Sequence, residues 1–483
     1  MKLLLLIGCS ILFIGTTYCQ NNITWDPPAD VSSSVFDNNF PRIVMDASGD
    51  PMVTWSDGDN LYFAKWNGTG FSAPAQLNPG GVTIAGLNWQ GPDIASRGDT
   101  LYAVYKQTPE TASTSYVWCV SSFDGGQNFN APVRVDYIAD SISRFPTVSV
   151  DNTGNPLVGF MKFNSDFSEA RWVVAKSTDM GASFNTDELA SEWSSPTSEV
   201  CDCCPGQIVS EGNTVAMLYR DNFSNVRDTW AGISNDGGSS FVGGMDVDQL
   251  GWVIMSCPSS GPDGVIIGDT LYSTYMSGTS NIRVYYNKSS ISSLTGSPAI
   301  PLDQSVSGLA SQNYPRLDHS ENAMAFVWQQ VASASQQLAI QFTEDITTGI
   351  NTIQEIVDSD NIGHVDVALQ DGVIFVVWED GGSGTVKYRR GTYNNVAELD
   401  QNETISTVRV FPNPSNDQWR ISGIEGLDLS SYTLLDNSGS RIPISIEQTS
   451  NELIIRNKNI VPGTYHLRIT TDSSVITLKV LKQ

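Results

Sequence analysis

Arginine and carboxylate side chains stand at comparable places along this chain, and together they could bind and process an acidic sugar. The candidate catalytic residues are Arg42, Arg144, Arg220, Asp221, Arg316 and Glu379. A planar guanidinium holds a carboxylate through two parallel hydrogen bonds, so arginines around one pocket suit an anionic substrate. Glycoside hydrolysis also needs paired carboxyl groups on one face. Asp221, Glu379 and Asp380 are the plausible members of such a pair.

The densest polar group is Tyr219-Arg-Asp-Asn222 together with Arg227-Asp228. It follows a predicted strand, where a connecting loop could present it to a ligand. The alternative is an ion network that joins neighbouring sheets and binds nothing. The same two interpretations apply to each arginine taken singly.

Four cysteines form a second local pattern: Cys201-Asp-Cys-Cys204, followed by Pro205, and Cys257, followed by Pro258. In an oxidising compartment we expect a disulfide from Cys257 to one of Cys201, Cys203 and Cys204. A Cys203–Cys204 link and a thiolate metal site are the alternatives. Because His319 and His364 are the remaining possible ligands nearby, a mixed tetrad is disfavoured, and we predict no metal and no cofactor. Cys119, within a predicted strand, is expected to be a buried free thiol.

A repeated frame indicates which elements hold these residues. Asp124, Asp179 and Asp236 each occupy the third place of a segment that begins with Ser and ends with Phe, and they are 55 and 57 residues apart. Such a period on strands is typical of propellers and solenoids. Each frame predicts a tight turn, in which the Asp accepts backbone N–H groups two residues on, a Gly permits positive φ and the Phe packs inward. The three aspartates are therefore expected to be structural.

The repeat extends over the chain as seven starts of the Pro-x-Ile type, from Pro41-Arg-Ile43 to the weaker Val365-Asp-Val367. After each start comes a polar turn and a strand with period-2 alternation that ends in an aromatic residue or Met. We predict an all-β fold with a seven-bladed β-propeller over residues 20–400, and a six-bladed one as the alternative. Residues 25–31 resemble the fourth strand of other repeats and would complete the last blade, which leaves no free sheet edge.

Composition restricts the partners. Charged residues make up 16% of the chain, below the roughly 25% usual for soluble domains. The formal net charge of −26 disfavours nucleic acid and anionic membranes, although solubility alone could explain it. Residues 1–19 read as a secretory signal peptide, with Lys2 before an apolar run. No later stretch approaches the ~20 apolar residues of a transmembrane segment.

The C-terminal residues 407–483 contain short alternating strands with Gly and Pro turns, which predict a small β-sandwich. The Phe411-Pro-Asn-Pro414 entry, the hairpin near Gly439, the Pro462-Gly-Thr-Tyr465 turn and the basic terminus resemble the C-terminal sorting domain of the type IX secretion system. That resemblance implies a Gram-negative bacterium of the Bacteroidota type and the secretion machinery as a partner. It also implies a product that is secreted or attached to the outer-membrane surface.

The three Asp frames resemble the Asp boxes of the neuraminidase repeat, and the first unit is similar to sialidase-like propellers. In sialidases these boxes lie away from the active site, which uses three arginines, a Tyr–Glu pair and an Asp. Arg42 in Phe40-Pro-Arg-Ile43 resembles the sialidase Arg-Ile-Pro motif, with the Pro on the other side. Three functions stay open: a sialidase-like hydrolase or a lyase on acidic polysaccharides, a non-catalytic propeller that binds an extracellular glycan or glycoprotein, and an adhesive surface protein.

Overall fold

The computed structural model describes residues 22–32, 38–86, 90–111, 115–136, 141–195, 199–350, 352–393, 408–423, 429–436, 441–449, 452–456, 458–471 and 475–483. The chain divides into two compact units, residues 1–395 and 396–483. The predicted signal peptide, residues 1–19, lies outside the described residues.

Antiparallel sheets follow one another along the first unit, seven among its described residues. Sheet 1 consists of Asn39–Met45, Pro51–Ser56, Leu61–Lys65 and Ala75–Gln76. Sheet 2 consists of Asp93–Arg97, Thr100–Thr108, Val117–Ser122 and Val133–Arg134, with Thr83–Ile84 added beside the second strand. Sheet 3 consists of Ser141–Val150, Pro156–Asn164, Arg171–Lys176 and Glu188–Leu189.

The next sheets repeat this order of strands. Sheet 4 consists of Gln207–Glu211, Thr214–Arg220, Thr229–Ser234 and Gly243–Asp246. Sheet 5 consists of Asp263–Ile267, Thr270–Ser277 and Arg283–Ser290, with Thr295–Gly296 and Ile300–Pro301 at its outer edge. Sheet 6 consists of Leu309–Ser320, Ala323–Ala332, Ser335–Thr343 and Glu355–Ser359.

Sheet 7 joins the two ends of the first unit. It consists of Ile362–Gln370, Val373–Asp380 and Thr385–Thr392, followed by Thr24–Trp25 and Ala29–Asp30. Both N-terminal strands pair with Thr385–Thr392, with Trp25 opposite Gly391 and Ala29 opposite Tyr388. The predicted completion of the last sheet by the N-terminal segment is confirmed, and it covers an edge that could otherwise pair with another chain.

The sheets are arranged in a cycle. The first strand of each sheet contacts the first strand of the next, and the first strand of sheet 7 contacts that of sheet 1. A buried apolar cluster fills each junction; at the junction of sheets 7 and 1 it includes Trp55, Val377 and Val31. Second strands pack against both neighbours, which explains why all six residues of Pro51–Ser56 are buried. The hydrophobic effect therefore holds the ring together at every junction.

The all-β class predicted from the sequence is confirmed. Besides strands, the described residues contain two short 3-10 segments, Phe223–Asn225 and Ile346–Thr348. None of the described helical segments is long and apolar enough to cross a membrane.

The three Ser-x-Asp turns make matching contacts, with one difference from expectation. Asp124 Oδ1 accepts the N–H groups of Gln127 and Asn128 at 3.0 and 2.9 Å. Asp236 does the same with the N–H groups three and four residues on, and Asp179 with the one four residues on. The predicted donors two residues on were wrong, because the turn is longer and its glycines take positive φ before the N–H groups converge on the carboxylate. The final Phe packs into the core; Phe184 is the most buried of the three.

The second unit contains two four-stranded sheets. One consists of Arg409–Phe411, Gln418–Ser422, Glu452–Arg456 and Ser445–Gln448, and the other of Arg441–Ile442, Leu429–Asp436, Gly463–Thr471 and Val475–Lys482. Alternate residues of both sheets, among them Trp419, Ile455 and Leu467, form a single buried core. This is the packing of a small β-sandwich.

Candidate functional site

Seven polar residues occupy one equivalent position in the first strands. Each lies within a Pro-x-Ile-like start, one or two places after its first residue, and one comes from each sheet: Arg42, Asp93, Thr147, Gln207, Asp263, Arg316 and Asp366. We call them the ring residues. Since the first strands contact one another in a cycle, these side chains surround one axis.

Three ring carboxylates tie their sheets to the next one. Asp93 Oδ2 accepts the N–H of Val148 at 3.0 Å, and Asp263 Oδ2 accepts that of Leu317 at 3.0 Å. Asp366 Oδ2 accepts the N–H of Ile43 at 3.0 Å, so the same contact closes the cycle. In each case the carboxylate satisfies a backbone donor that sits just after the ring position of the following sheet.

The two arginines of the ring face carboxylates of the ring itself. Arg42 Nε lies 3.9 Å from Asp93 Oδ1, and Arg316 Nη1 lies 3.9 Å from Asp263 Oδ2. Arg316 also donates to Gln207 Oε1 at 3.1 Å. Burial, and then the neighbouring Arg316, lower the pKa of Arg42 to about 10. Burial raises the pKa of Asp366 to about 7 despite both arginines. Two arginines against three aspartates leave the ring without excess positive charge.

Aromatic residues surround the mouth of this axis. Phe40, Phe145 and Tyr314 each precede a Pro, and each takes a positive φ between 51° and 53° at a bulge of the first strand. A bulky residue rarely adopts this conformation, which costs of the order of 1–3 kcal/mol and is concentrated at functional sites. Gly91 stands at the same repeat position, where a Cβ would lie 2.4 Å from that of Phe40.

His364 lies between two of these rings. Its ring centroid is 4.1 Å from that of Phe40 and 5.0 Å from that of Tyr314. His364 Nδ1 is 3.1 Å from Glu379 Oε2, and the two side chains are about one-fifth exposed, 20% and 21%. Burial lowers the pKa of His364 although Glu379 opposes the shift, so the neutral imidazole predominates at neutral pH. A neutral imidazole against a carboxylate can accept and pass on a proton.

Two spaces meet at the ring. The mouth cavity, about 50 Å³, is lined by residues that include Tyr314, His364 and Phe145. A channel of about 440 Å³ runs between the first strands of all seven sheets. Arg42, Asp93 and Gln207 line both spaces, so the ring separates them.

The structure separates the arginines named from the sequence into two groups. Arg42 and Arg316 lie in the ring, whereas Arg144 forms a two-pronged ion pair with Glu110, which also binds Lys106 at 2.8 Å. The Arg220 side chain is wholly buried. Its guanidinium donates to the carbonyl oxygens of Ser260, Arg227 and Met276.

The carboxylates named from the sequence also lie apart. Asp221, on sheet 4, is buried and its Oδ2 accepts the N–H of Phe223 at 3.1 Å. Burial raises the pKa of Asp221. Glu379, on sheet 7, reaches the mouth through His364. Asp124, Asp179 and Asp236 follow third strands, which run away from the mouth, so they belong to the opposite face.

Sequence reasoning missed part of this arrangement. Asp93, Gln207, Asp263 and Asp366 were visible as the variable residue of each Pro-x-Ile start, but a single repeat gives no reason to single them out. His364 was considered solely as a metal ligand. Its contact with Glu379 depends on the pairing of two strands, which the local sequence does not reveal.

The cysteine prediction is confirmed in its main point. Cys257 forms a disulfide with Cys203, with their Cα atoms 6.0 Å apart. Cys201 and Cys204 are buried free thiols whose Sγ atoms are 3.0 Å apart, and Cys119 is a buried free thiol as predicted. Against burial, the hydrogen bond from Cys201 and the charge of Arg220 lower the pKa of Cys204 to about 7.

Comparisons with solved structures give weak similarities. A protein of unknown function from Dyadobacter fermentans is 10% identical, with 77% of this chain and 100% of that chain covered and a TM-score of 0.47. A Penicillium chrysogenum α-L-arabinanase complexed with arabinobiose is 13% identical, with 68% and 99% covered and a TM-score of 0.44. A Trypanosoma rangeli sialidase in complex with the inhibitor DANA is 9% identical, with 96% and 89% covered and a TM-score of 0.43. Similarities of this size assign neither an activity nor a substrate.

The C-terminal unit gives a specific match. None of the curated proteins matches the chain, but residues 409–483 match the family described as "Secretion system C-terminal sorting domain". The sorting domain predicted from the Phe411-Pro-Asn-Pro414 entry and the following turns is confirmed. The chain therefore carries a sorting domain of the type IX secretion system, and it is a secreted or surface-attached protein.

Proposed function

We propose that the first unit is a seven-bladed β-propeller that binds an uncharged part of an extracellular glycan at its mouth. The blade number is supported by the seven sheets of the described residues and their cyclic contacts. We further propose residues 20–400 as the extent of the propeller and residues 1–19 as a signal peptide. The blades would supply a rigid frame for one axial site.

The observation that carries the proposal is the ring of donors and acceptors beneath an aromatic mouth. Arg42, Arg316 and Gln207 offer N–H donors, while the aspartates offer acceptors, and sugar hydroxyl groups can use both. Tyr314 and His364 add partly exposed ring surface beside the cavity. Pockets with apolar walls and a few fixed polar groups are typical of small-molecule and sugar sites.

The charge balance favours an uncharged ligand over an acidic one. A carboxylate clamp needs guanidinium groups that are not already matched by anions. Here Arg42 and Arg316 each have a ring aspartate at 3.9 Å, Arg144 is paired with Glu110, and Arg220 donates to backbone carbonyl oxygens. This distribution does not support a three-arginine site of the sialidase type.

Binding can be measured by calorimetry on the full chain with neutral and acidic oligosaccharides from a panel. We expect a neutral glycan to bind, and Arg316→Gln to weaken it about tenfold, equivalent to about 1.4 kcal/mol. Arg134→Gln is the matched control, because Arg134 also pairs with an aspartate, Asp136, but outside the mouth. Stronger binding of sialosides or uronates than of neutral glycans would contradict the proposal, as would unchanged binding by Arg316→Gln.

A second candidate is a hydrolase or lyase, favoured by the 3.1 Å contact between His364 and Glu379. In this case His364 would move a proton at the sugar while Glu379 orients the imidazole. Product release from the same panel separates the two functions. Turnover that His364→Gln abolishes while binding persists would favour the enzyme; His319→Gln, with an imidazole bonded to the carbonyl of Glu321, is the control.

A further inference from the structure

Three carboxylates converge on sheet 4, away from the mouth cavity. Asp228 directly precedes the third strand, Asp246 ends the fourth strand, and Asp248 follows it. One oxygen of each lies within 4.8 Å of the others. None of the three lines the mouth cavity or the channel.

Comparison with the other sheets shows that one of the three carboxylates, Asp248, has a structural role that recurs in the repeat. Asp248 Oδ2 accepts the N–H of Thr229, the first residue of the third strand, at 2.8 Å. Asn78 in sheet 1 and Asp136 in sheet 2 accept the equivalent N–H groups of Leu61 and Val117 at 2.9 and 3.0 Å. Asp248 is thus a regular feature of the repeat, and the addition of Asp228 and Asp246 is particular to sheet 4.

Within the described residues, no cationic side chain forms an ion pair with any of the three carboxylates. Asp248 is wholly buried and Asp228 is 3% exposed. Arg220 is near, but its guanidinium donates to carbonyl oxygens. Backbone N–H groups donate to each carboxylate, those of Gly251 and Trp252 to Asp228, of Asp248 and Gln249 to Asp246, and of Thr229 and Leu250 to Asp248. These hydrogen bonds do not neutralise three grouped charges, which a bound cation would.

Two buried hydroxyl groups give an independent indication of a ligand. Among the residues that the structure describes, Thr229 Oγ1 and the Tyr275 hydroxyl have no hydrogen-bond partner, and both side chains are wholly buried. The backbone N–H of Thr229 already contacts Asp248. Arg220 donates to the carbonyl oxygens of Arg227 and Met276, the sequence neighbours of Asp228 and Tyr275, so these two segments lie side by side. Buried hydroxyl groups of this kind normally have a partner.

We propose that Asp228, Asp246 and Asp248 bind a hard divalent cation, with Ca²⁺ as the best fit. The donor set consists of oxygen, which hard cations prefer, and it contains no nitrogen or sulfur that would favour zinc or copper. Ca²⁺ accepts six to eight oxygen ligands in flexible geometry, so main-chain carbonyls or water can complete the shell. Mg²⁺ demands a strict octahedron and holds its water, which three irregularly spaced carboxylates suit less well. The cation would fix the loop of residues 247–252 to sheet 4.

The test is thermal unfolding of the full chain in EGTA, in ~5 mM CaCl₂ and in ~5 mM MgCl₂, a range that covers extracellular calcium sites. We expect Ca²⁺ to raise the Tm by several degrees and Mg²⁺ to raise it much less, and calorimetry to give one Ca²⁺ per chain. Asp246→Asn should abolish the Ca²⁺ shift. In EGTA this variant should be at least as stable as the parent chain, because it removes one of three repelling charges.

Asp136→Asn is the matched control, because Asp136 holds the position in sheet 2 that Asp248 holds in sheet 4 but has Arg134 beside it. It should keep the full Ca²⁺ shift. The proposal is overturned if Ca²⁺ and EGTA give the same Tm, if Mg²⁺ equals Ca²⁺, or if Asp246→Asn responds as the parent does. Because glycan binding at the mouth is measured separately with Arg316→Gln, failure of either proposal can be distinguished from failure of the other.

Discussion

Several ring side chains both stabilise the backbone and line the axis. Asp93, Asp263 and Asp366 hold the backbone of the following sheet while they face the axis. A carboxylate that accepts a buried N–H cannot be removed without leaving that donor unsatisfied. Mutagenesis of the mouth should therefore use polar replacements such as the isosteric Asp→Asn and the shorter, neutral Arg→Gln, which retain an acceptor or a donor.

Asp366 makes the stability of the protein depend on pH. Burial raises its pKa in the folded state to about 7, from an ordinary value of 3.8, so between these values the folded state retains a proton that the unfolded state has lost. The stability contribution is complete below about pH 4 and is lost as the pH rises through about 7. Asp366→Asn should remove this loss, with a gain over the parent that grows between pH 4 and 8 up to about 4 kcal/mol.

Urea unfolding at several pH values measures this difference. Asp136→Asn is the control, because Asp136 lies outside the ring. The stability of this variant relative to the parent should not show the pH dependence expected for Asp366→Asn. If the difference in unfolding free energy between the parent and Asp366→Asn chains is constant from pH 4 to 8, Asp366 does not have the raised pKa on which this prediction depends.

At the scale of the element, the Ser-x-Asp turn is a self-contained unit that links the third and fourth strands. Ser234 Oγ donates to Asp236 Oδ1 at 2.8 Å and accepts the N–H of Gly238 at 2.9 Å. The frame was recognisable in the sequence because the hydrogen bonds of its Ser and Asp side chains lie within seven residues. Its donors were wrongly predicted, since the path of the backbone through two residues of positive φ depends on the three-dimensional turn.

Ser234→Ala should destabilise the first unit without affecting the mouth. The substitution removes a wholly buried hydroxyl group, and the Gly238 N–H loses its acceptor, which costs about 1–2 kcal/mol. Chemical unfolding measures the loss, and glycan affinity should stay within twofold of the parent. Ser239→Ala, in the same turn but exposed, should change stability by less than about 0.5 kcal/mol. Equal effects of the two substitutions would show that the Ser234 contacts do not stabilise the turn.

At the scale of the whole molecule, stability depends on the meeting of distant parts of the chain. Thr24–Trp25 and Ala29–Asp30 pair with Thr385–Thr392, and Val31 packs into the core between sheets 7 and 1. Because of this long-range closure, every sheet of the first unit has a neighbouring sheet on both sides. It also means that both ends of the first unit must be present before the last junction forms.

A chain that begins at Ser32 should be less stable than one that begins at Asn22, which serves as the control. Loss of Val31 alone removes about 1.5–3 kcal/mol of apolar burial, and the bare edge of Thr385–Thr392 becomes available for aggregation. Thermal unfolding and light scattering measure both effects. Identical Tm values for the two chains would contradict the role of the N-terminal strands in closure.

The amino-acid sequence by itself determined the repeat, the all-β class, the sorting domain and the participation of Cys257 in a disulfide. Each of these rests on local patterns: period-2 alternation, turn residues at fixed offsets, and a Pro-Asn-Pro entry near the C-terminus. The tertiary structure alone decided which of the four candidate arginines belong to one site. Arg42 and Arg316 are 274 residues apart in the sequence, and the cyclic order of the sheets brings them into the same ring. It likewise decided that Arg220 is enclosed and that His364 meets Glu379. Contacts between sheets depend on strand register and on closure of the ring, and neither can be read from the residue pattern of the sequence.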